Sequence, residues 1–207
     1  MRDRALPPYP ETTMPRALLP TLVWLFIVPV LPAQTATPAT PLDSAMARDR
    51  HALQLFIATV EKDIVSAAEA MPADKYGFAP SEGEFNGVRT FRAQIKHLSA
   101  TNYMLSAAAL GQDPPADAGD EAGPDRVNTK DDVIDYLRGS FQALGSAIAQ
   151  VGNRTIPVRT SPISPLQGQN ATREALITEA LIHSFDHYGQ MVVYLRMNGV
   201  VPPASRR

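Results

Sequence analysis

The sequence predicts an all-α domain built as a four-helix bundle. Three observations carry that expectation: four stretches from Ser44 onward repeat apolar residues at helical spacing, each is near 20 residues long, and no strand-like alternation of useful length competes with them. The best extended segment, residues 155–161, reads as a loop. There is no internal repeat, Gly-rich phosphate loop or long heptad run.

In the first stretch Leu53, Ile57, Val60, Ile64, Ala67 and Met71 advance in alternating steps of four and three, which makes one helical stripe, and Pro72 stops it. The second covers residues 88–110. Phe91, Ile95, Leu98, Asn102 and Leu105 lie on one line, with Gln94, His97, Thr101 and Met104 on the next, and Gly111 ends the helix ahead of Pro114 and Pro115. The third opens at Asn128-Thr129, where Thr129 and Asp132 stand at capping-box spacing. Ile134, Leu137, Phe141, Leu144, Ile148 and Val151 form its stripe, and Gly152 is expected to close it. The fourth covers residues 172–198, capped by Asn170 or Thr172 and ended by Gly199, with Pro202-Pro203 behind. An antiparallel bundle is the economical solution. The connections after the second and third stretches are long for simple hairpins, so crossover-type loops are expected and helix order need not be up-down-up-down.

Composition bounds the chemistry. The chain has 207 residues, 19 Lys and Arg against 21 Asp and Glu, four His and no Cys. A net charge of -2 gives no electrostatic reason to expect nucleic acid as a partner. Without Cys there are no disulfides, no thiolate nucleophile and no Cys-bearing zinc or iron–sulfur site, so a transition metal has to be held by His and carboxylates. Residues 18–31, LLPTLVWLFIVPVL, carry no charge and follow Arg2, Arg4 and Arg16. That run is short of the ~20 residues a bilayer needs and suits the core of a secretory signal peptide, with Leu31-Pro32-Ala33 before a cut. Met14 is an alternative start. The expected organisation is a signal peptide over 1–33, a polar tether over 34–43 and the helical domain over 44–205. The expected location is periplasmic or secreted, with no stable membrane partner; an uncleaved N-terminal anchor is the runner-up.

The histidines sit where leucines belong. On the fourth stretch Leu176, Ala180, His183, His187, Met191 and Tyr194 share one line, so two imidazoles occupy core-facing positions one turn apart. His97 lies in the second stretch between Ile95 and Leu98. Burying neutral imidazoles is costly unless each is hydrogen-bonded or ligated. A divalent ion takes one nitrogen of each ring and leaves the other N–H for a neighbouring acceptor, a role open to Glu179 and Asp186. Spacing alone leaves both a metal site and buried unmetallated histidines open. His51 precedes its stripe and reads as an ordinary polar residue.

The segment 181–203, LIHSFDHYGQMVVYLRMNGVVPP, resembles the C-terminal signature of the DinB-like family. His183, His187, Gly189, Gln190, Tyr194-Leu195-Arg196, Gly199 and Pro202-Pro203 all match it, and His97 in RTFRAQIKHLSATNYM matches the family's earlier metal histidine. In layout the resemblance extends over residues 46–205. It implies a four-helix bundle, commonly a homodimer, in which His97, His183 and His187 hold nickel, zinc or iron with water completing the coordination. Characterised relatives include transferases and an isomerase that use low-molecular-weight thiols, and many members have no known substrate.

Three neutral ligands leave an ion its full charge and at least one open position. Such an ion lowers the pKa of bound water or a thiol, or polarises a carbonyl. The expected function is therefore a metal-dependent enzyme, a transferase or hydrolase acting on a small molecule, with isomerisation as a third chemistry. The alternative is a non-catalytic exported bundle that binds metal or ligand. Without Cys or a Gly-x-Ser-x-Gly elbow, a protein nucleophile has little support. Thr101, Tyr103 and Tyr188 are candidates to line a cleft. Gln190 either orients a ligand or bonds across the bundle, Gly189 is expected to permit close helix packing, and Arg196 to form a surface or interface ion pair. Reduced thiols belong to the cytosol, so export favours a substrate other than a thiol.

Overall fold

The computed structural model describes residues 41–152, 155–158, 160, 164, 166–169 and 171–206. The expected signal peptide, most of the tether and the alternative cap Asn170 lie outside the described residues. Four α-helices carry the fold: α1 (Pro41–Ala70), α2 (Phe91–Leu110), α3 (Lys130–Gln150) and α4 (Arg173–Met197). Among the described residues β pairing is confined to one antiparallel bridge between Pro157 and Thr172. Helix α1 starts inside the range expected for the tether, with Pro at the first helical position, where the missing N–H has no intrahelical partner to lose.

Side-chain caps fix the starts of three helices. The Thr129 hydroxyl accepts from the Asp132 amide while the Asp132 carboxylate accepts from the Thr129 amide, the reciprocal box its spacing predicts. Thr172 caps α4 through the Ala175 amide, which decides between the two candidate caps, and Thr90 caps α2 through the Ala93 amide. At the far ends Gly111 and Gly199 take left-handed φ of 71° and 72°. Beyond Gly199 the Val200 amide reaches back to the Leu195 carbonyl at 2.9 Å, closing α4 in a Schellman turn. Gly152 does not close α3 in this way. The helix ends at Val151, whose backbone is extended (φ -62°, ψ 108°), so the chain leaves straight rather than turning through a left-handed residue.

Helix α2 packs on α3 and α4, and α1 packs on the same two, so α1 and α2 stand on opposite corners of the bundle. Contacts give the directions. Lys130 at the start of α3 donates to the Glu69 and Met71 carbonyls at the end of α1, which makes that pair antiparallel. Arg92 reaches the Asn128 carbonyl, Asn102 reaches Ser140 and Tyr103 stacks near Tyr136, so α2 and α3 run parallel. The connection from Gly111 to Thr129 is therefore a crossover that returns along the bundle. It is held down by Tyr136, whose hydroxyl donates to the Ala118 carbonyl, and by the burial of Ala118 and Val127. The predicted stripes meet at the centre: Ile64, Met71, Phe91, Ile95, Leu98, Leu137, Phe141, Leu144, Ile148 and Leu176 are all essentially inaccessible.

Candidate metal centre

Antiparallel α2 and α4 bring His97 opposite His183 and His187. The Nε2 of His183 lies 3.2 Å from Nε2 of His97 and 3.1 Å from Nε2 of His187. All three ligand atoms fall within 4.8 Å of one another, the one such His or carboxylate group among the described residues. An ion with metal–nitrogen bonds of about 2.1 Å spaces its ligand nitrogens about 3.4 Å apart in a tetrahedron and about 3 Å apart at adjacent corners of an octahedron. The observed separations fit a divalent cation at the centre.

Tautomers sharpen the point. Nδ1 of His97 donates to the Glu121 main-chain carbonyl at 3.0 Å, so the proton sits on Nδ1 and Nε2 presents a lone pair to the cluster. A proton on His183 Nε2 satisfies one of its two close neighbours at a time, whereas a cation satisfies all three nitrogens. Protonating the rings instead is disfavoured. Burial, and then the facing His187 and His97, push His183 down to about 3. Burial, then His97, push His187 down to about 4. His97 is lowered by burial, partly offset by its bond to Glu121. At neutral pH the site is three neutral imidazoles, the donor set a transition metal requires.

His97 and His183 of the cluster form one wall of a cavity of about 460 Å³ between α2 and α4. Leu105, Met104 and Ile182 supply its apolar side. Its polar side comes from Thr101, Glu179, Asp186 and three loop residues, Arg89, Glu121 and Ser164. Arg89 is engaged, with its guanidinium 2.6 Å from the Glu121 carboxylate. Ser164 donates to the Glu179 carboxylate at 2.8 to 2.9 Å, and burial raises that carboxyl above the usual range.

Other candidates fall elsewhere. Tyr103 and Tyr188 do not line the cavity. At about 100° per residue Tyr103 points some 200° away from Thr101, stacking toward Tyr136 of α3, and Tyr188 is turned about 100° from His187. Gln190 is exposed and donates to the Asp186 carboxylate at 2.8 Å, one turn back on its own helix. Glu179 and Asp186 line the cavity, but the acceptor that bonds a site histidine is the Glu121 carbonyl, together with the Glu121 carboxylate 3.7 Å away. Gly189 is exposed, and a Cβ there meets nothing within 4 Å, so it serves no close packing in this chain. Arg196 donates to the Ser205 hydroxyl rather than to a carboxylate. His51 is exposed on α1, away from the cluster.

A family model described as the DinB superfamily matches residues 56–191, a span that contains all three histidines. Comparison with curated proteins finds no match.

Proposed function

The chain belongs to the DinB superfamily, and on that premise we propose that it is a divalent-metal-dependent enzyme acting as a transferase or hydrolase on a small molecule. The observation that carries this reading is the convergence of three imidazoles, with Nε2 of His183 3.1 to 3.2 Å from Nε2 of the other two, where His97 and His183 line a cavity of about 460 Å³. A purely structural site is closed by protein, whereas a cavity against the ligands leaves room for substrate. His97, His183 and His187 would hold the ion, which supplies Lewis acidity toward a substrate oxygen or sulfur. The chain's own residues do the rest. The Glu121 carbonyl holds His97 in the tautomer that presents Nε2, buried Leu105 gives the cavity an apolar side, and Ser164 fixes the direction of the Glu179 carboxylate. We further propose export through the N-terminal apolar segment and a homodimeric assembly.

Nickel, zinc and iron are the candidate ions, and metal content of untagged protein together with calorimetry on metal-stripped protein tests the proposal. One ion per chain is expected, with affinity severely reduced in His97→Ala, His183→Ala and His187→Ala. Uptake of no divalent ion near neutral pH removes the catalytic reading. With the ion in place, turnover is sought on esters, amides and electrophiles with and without added thiol, using His183→Ala as the blank.

A further inference from the structure

Gly189 is the residue of α4 that the single chain leaves without a purpose. It sits mid-helix with ordinary helical backbone, so no left-handed φ requires it, and it is exposed, with nothing within 4 Å of where a Cβ would stand. Glycine in such a position only weakens a helix. Around it the outward side of α4 is apolar: Ile182, Phe185, Val193 and Met197 are 66%, 45%, 49% and 48% exposed. At about 100° per residue Ile182, Phe185 and Val193 lie within about 40° of the Gly189 line, and Met197 within about 80°. An exposed apolar stripe with glycine at its centre is a surface that a second helix can approach closely.

The charges beside the stripe say which helix that is. By the same geometry Asp186 and Glu179 stand about 60° to 80° to one side of Gly189 and precede it, while Arg196 stands about 20° to the other side and follows it. A two-fold axis through Gly189 brings up a second α4 antiparallel to the first and pairs residues equally far before and after the axis. Phe185 then meets the partner's Val193. Arg196 falls on the partner's Ile182, its aliphatic stem on that side chain and its guanidinium between the partner's Glu179 and Asp186, one turn to either side. A parallel pairing would instead set Arg196 against Arg196 and Asp186 against Asp186. Resting on the homodimer of the preceding section, we propose that the outward face of α4 is its interface, with the two-fold axis at Gly189. Ile182, Glu179 and Asp186 also line the cavity beside the histidines, so the partner's Arg196 completes the rim of that cavity.

Sedimentation equilibrium on the protein in the form its native cell produces tests this, with far-UV circular dichroism and thermal unfolding confirming that each variant is folded. Wild type should show a monomer–dimer equilibrium. Gly189→Arg, which a single chain accommodates because a Cβ there meets nothing, should raise the dissociation constant at least tenfold. Arg196→Glu and Asp186→Arg should each raise it about tenfold, since symmetry makes every substitution act twice. The doubly substituted chain, which exchanges the two charges, should recover most of that loss. A dimer unaffected by Gly189→Arg, or a double variant no tighter than the singles, overturns this interface and leaves the homodimer standing. A wild-type chain that is monomeric at every concentration overturns both, and neither result touches the metal reading.

Discussion

Acidifying the metal-stripped protein from pH 7 to pH 5 should destabilise it by several kcal/mol, and the three histidines are the reason. In the unfolded chain each imidazole takes a proton near its ordinary value of 6.5, while burial holds His183 near 3 and His187 near 4 in the native state. Between those limits the unfolded state binds protons that the native state refuses. Stability is therefore complete above about pH 7 and is lost as pH falls through 6.5, the loss continuing until the native rings themselves protonate. For any native value at or below about 4, the change between pH 7 and pH 5 is about 2 kcal/mol per histidine, or about 4 kcal/mol for His183 and His187 together. His97, also lowered by burial, adds in the same direction. Glu61 and Glu179, raised by burial, work in the opposite sense. Urea unfolding followed by circular dichroism at pH 7, 6 and 5 measures the slope, and the His183→Leu/His187→Leu double variant isolates its source. The double variant should be markedly flatter than wild type. If both show the same slope, or if the wild-type midpoint does not move, the three imidazoles are not buried together as neutral rings and the geometry argued for the metal centre is wrong.

Further expectations rest on separate features. His51→Ala should bind one divalent ion as tightly as wild type in the calorimetric titration, because it is exposed on α1 away from the cluster. Leu144→Ala removes a side chain with no accessible surface and should cost about 2–5 kcal/mol in urea unfolding. Thr129→Ala removes one half of the capping box and should cost about 1 kcal/mol by the same measurement. For the proposed export, intact-mass measurement on protein from its native cell should find residues 1–33 removed. A soluble product retaining residues 14–33 counts against it.

Local periodicity made the four helices legible because each apolar stripe has a partner stripe to bury against, and the bundle buries what the spacing marks. Leu137, Phe141, Leu144 and Ile148 are the plainest case. The histidine trio was legible for a related reason: polar side chains at core positions of a helix cost energy unless something binds them, so His183 and His187 stood out from Ala180 and Met191. Glu121 and Arg89 were not legible. They act from connections, one through a main-chain carbonyl and the other through a loop ion pair, and neither interaction has a spacing signature in the chain. Tyr103 and Tyr188 were misplaced through phase alone, since one or two residues of helix turn a side chain away from its neighbour's cavity. Thr90 was a missed cap. It precedes an apolar run but lacks the acidic or amide residue three positions later that marked Thr129.

The bond from His97 to the Glu121 carbonyl has a consequence for how this site tolerates change. A peptide oxygen belongs to no side chain, so replacing Glu121 by almost any residue abolishes the ion pair with Arg89 and leaves the acceptor for His97 where it is. Alanine scanning of the crossover would pass over a contact that sets the proton position on a metal ligand. A one-residue insertion or deletion between Ala118 and Val127 would not, because it shifts the carbonyl while the Tyr136 anchor stays fixed. The side chain at position 121 is then under weak constraint and the length of the stretch under strong constraint, alongside four fixed points: Ala118 and Val127 are buried, and a Cβ at Gly119 or Gly123, both at left-handed φ, would press on Pro124 or Lys96.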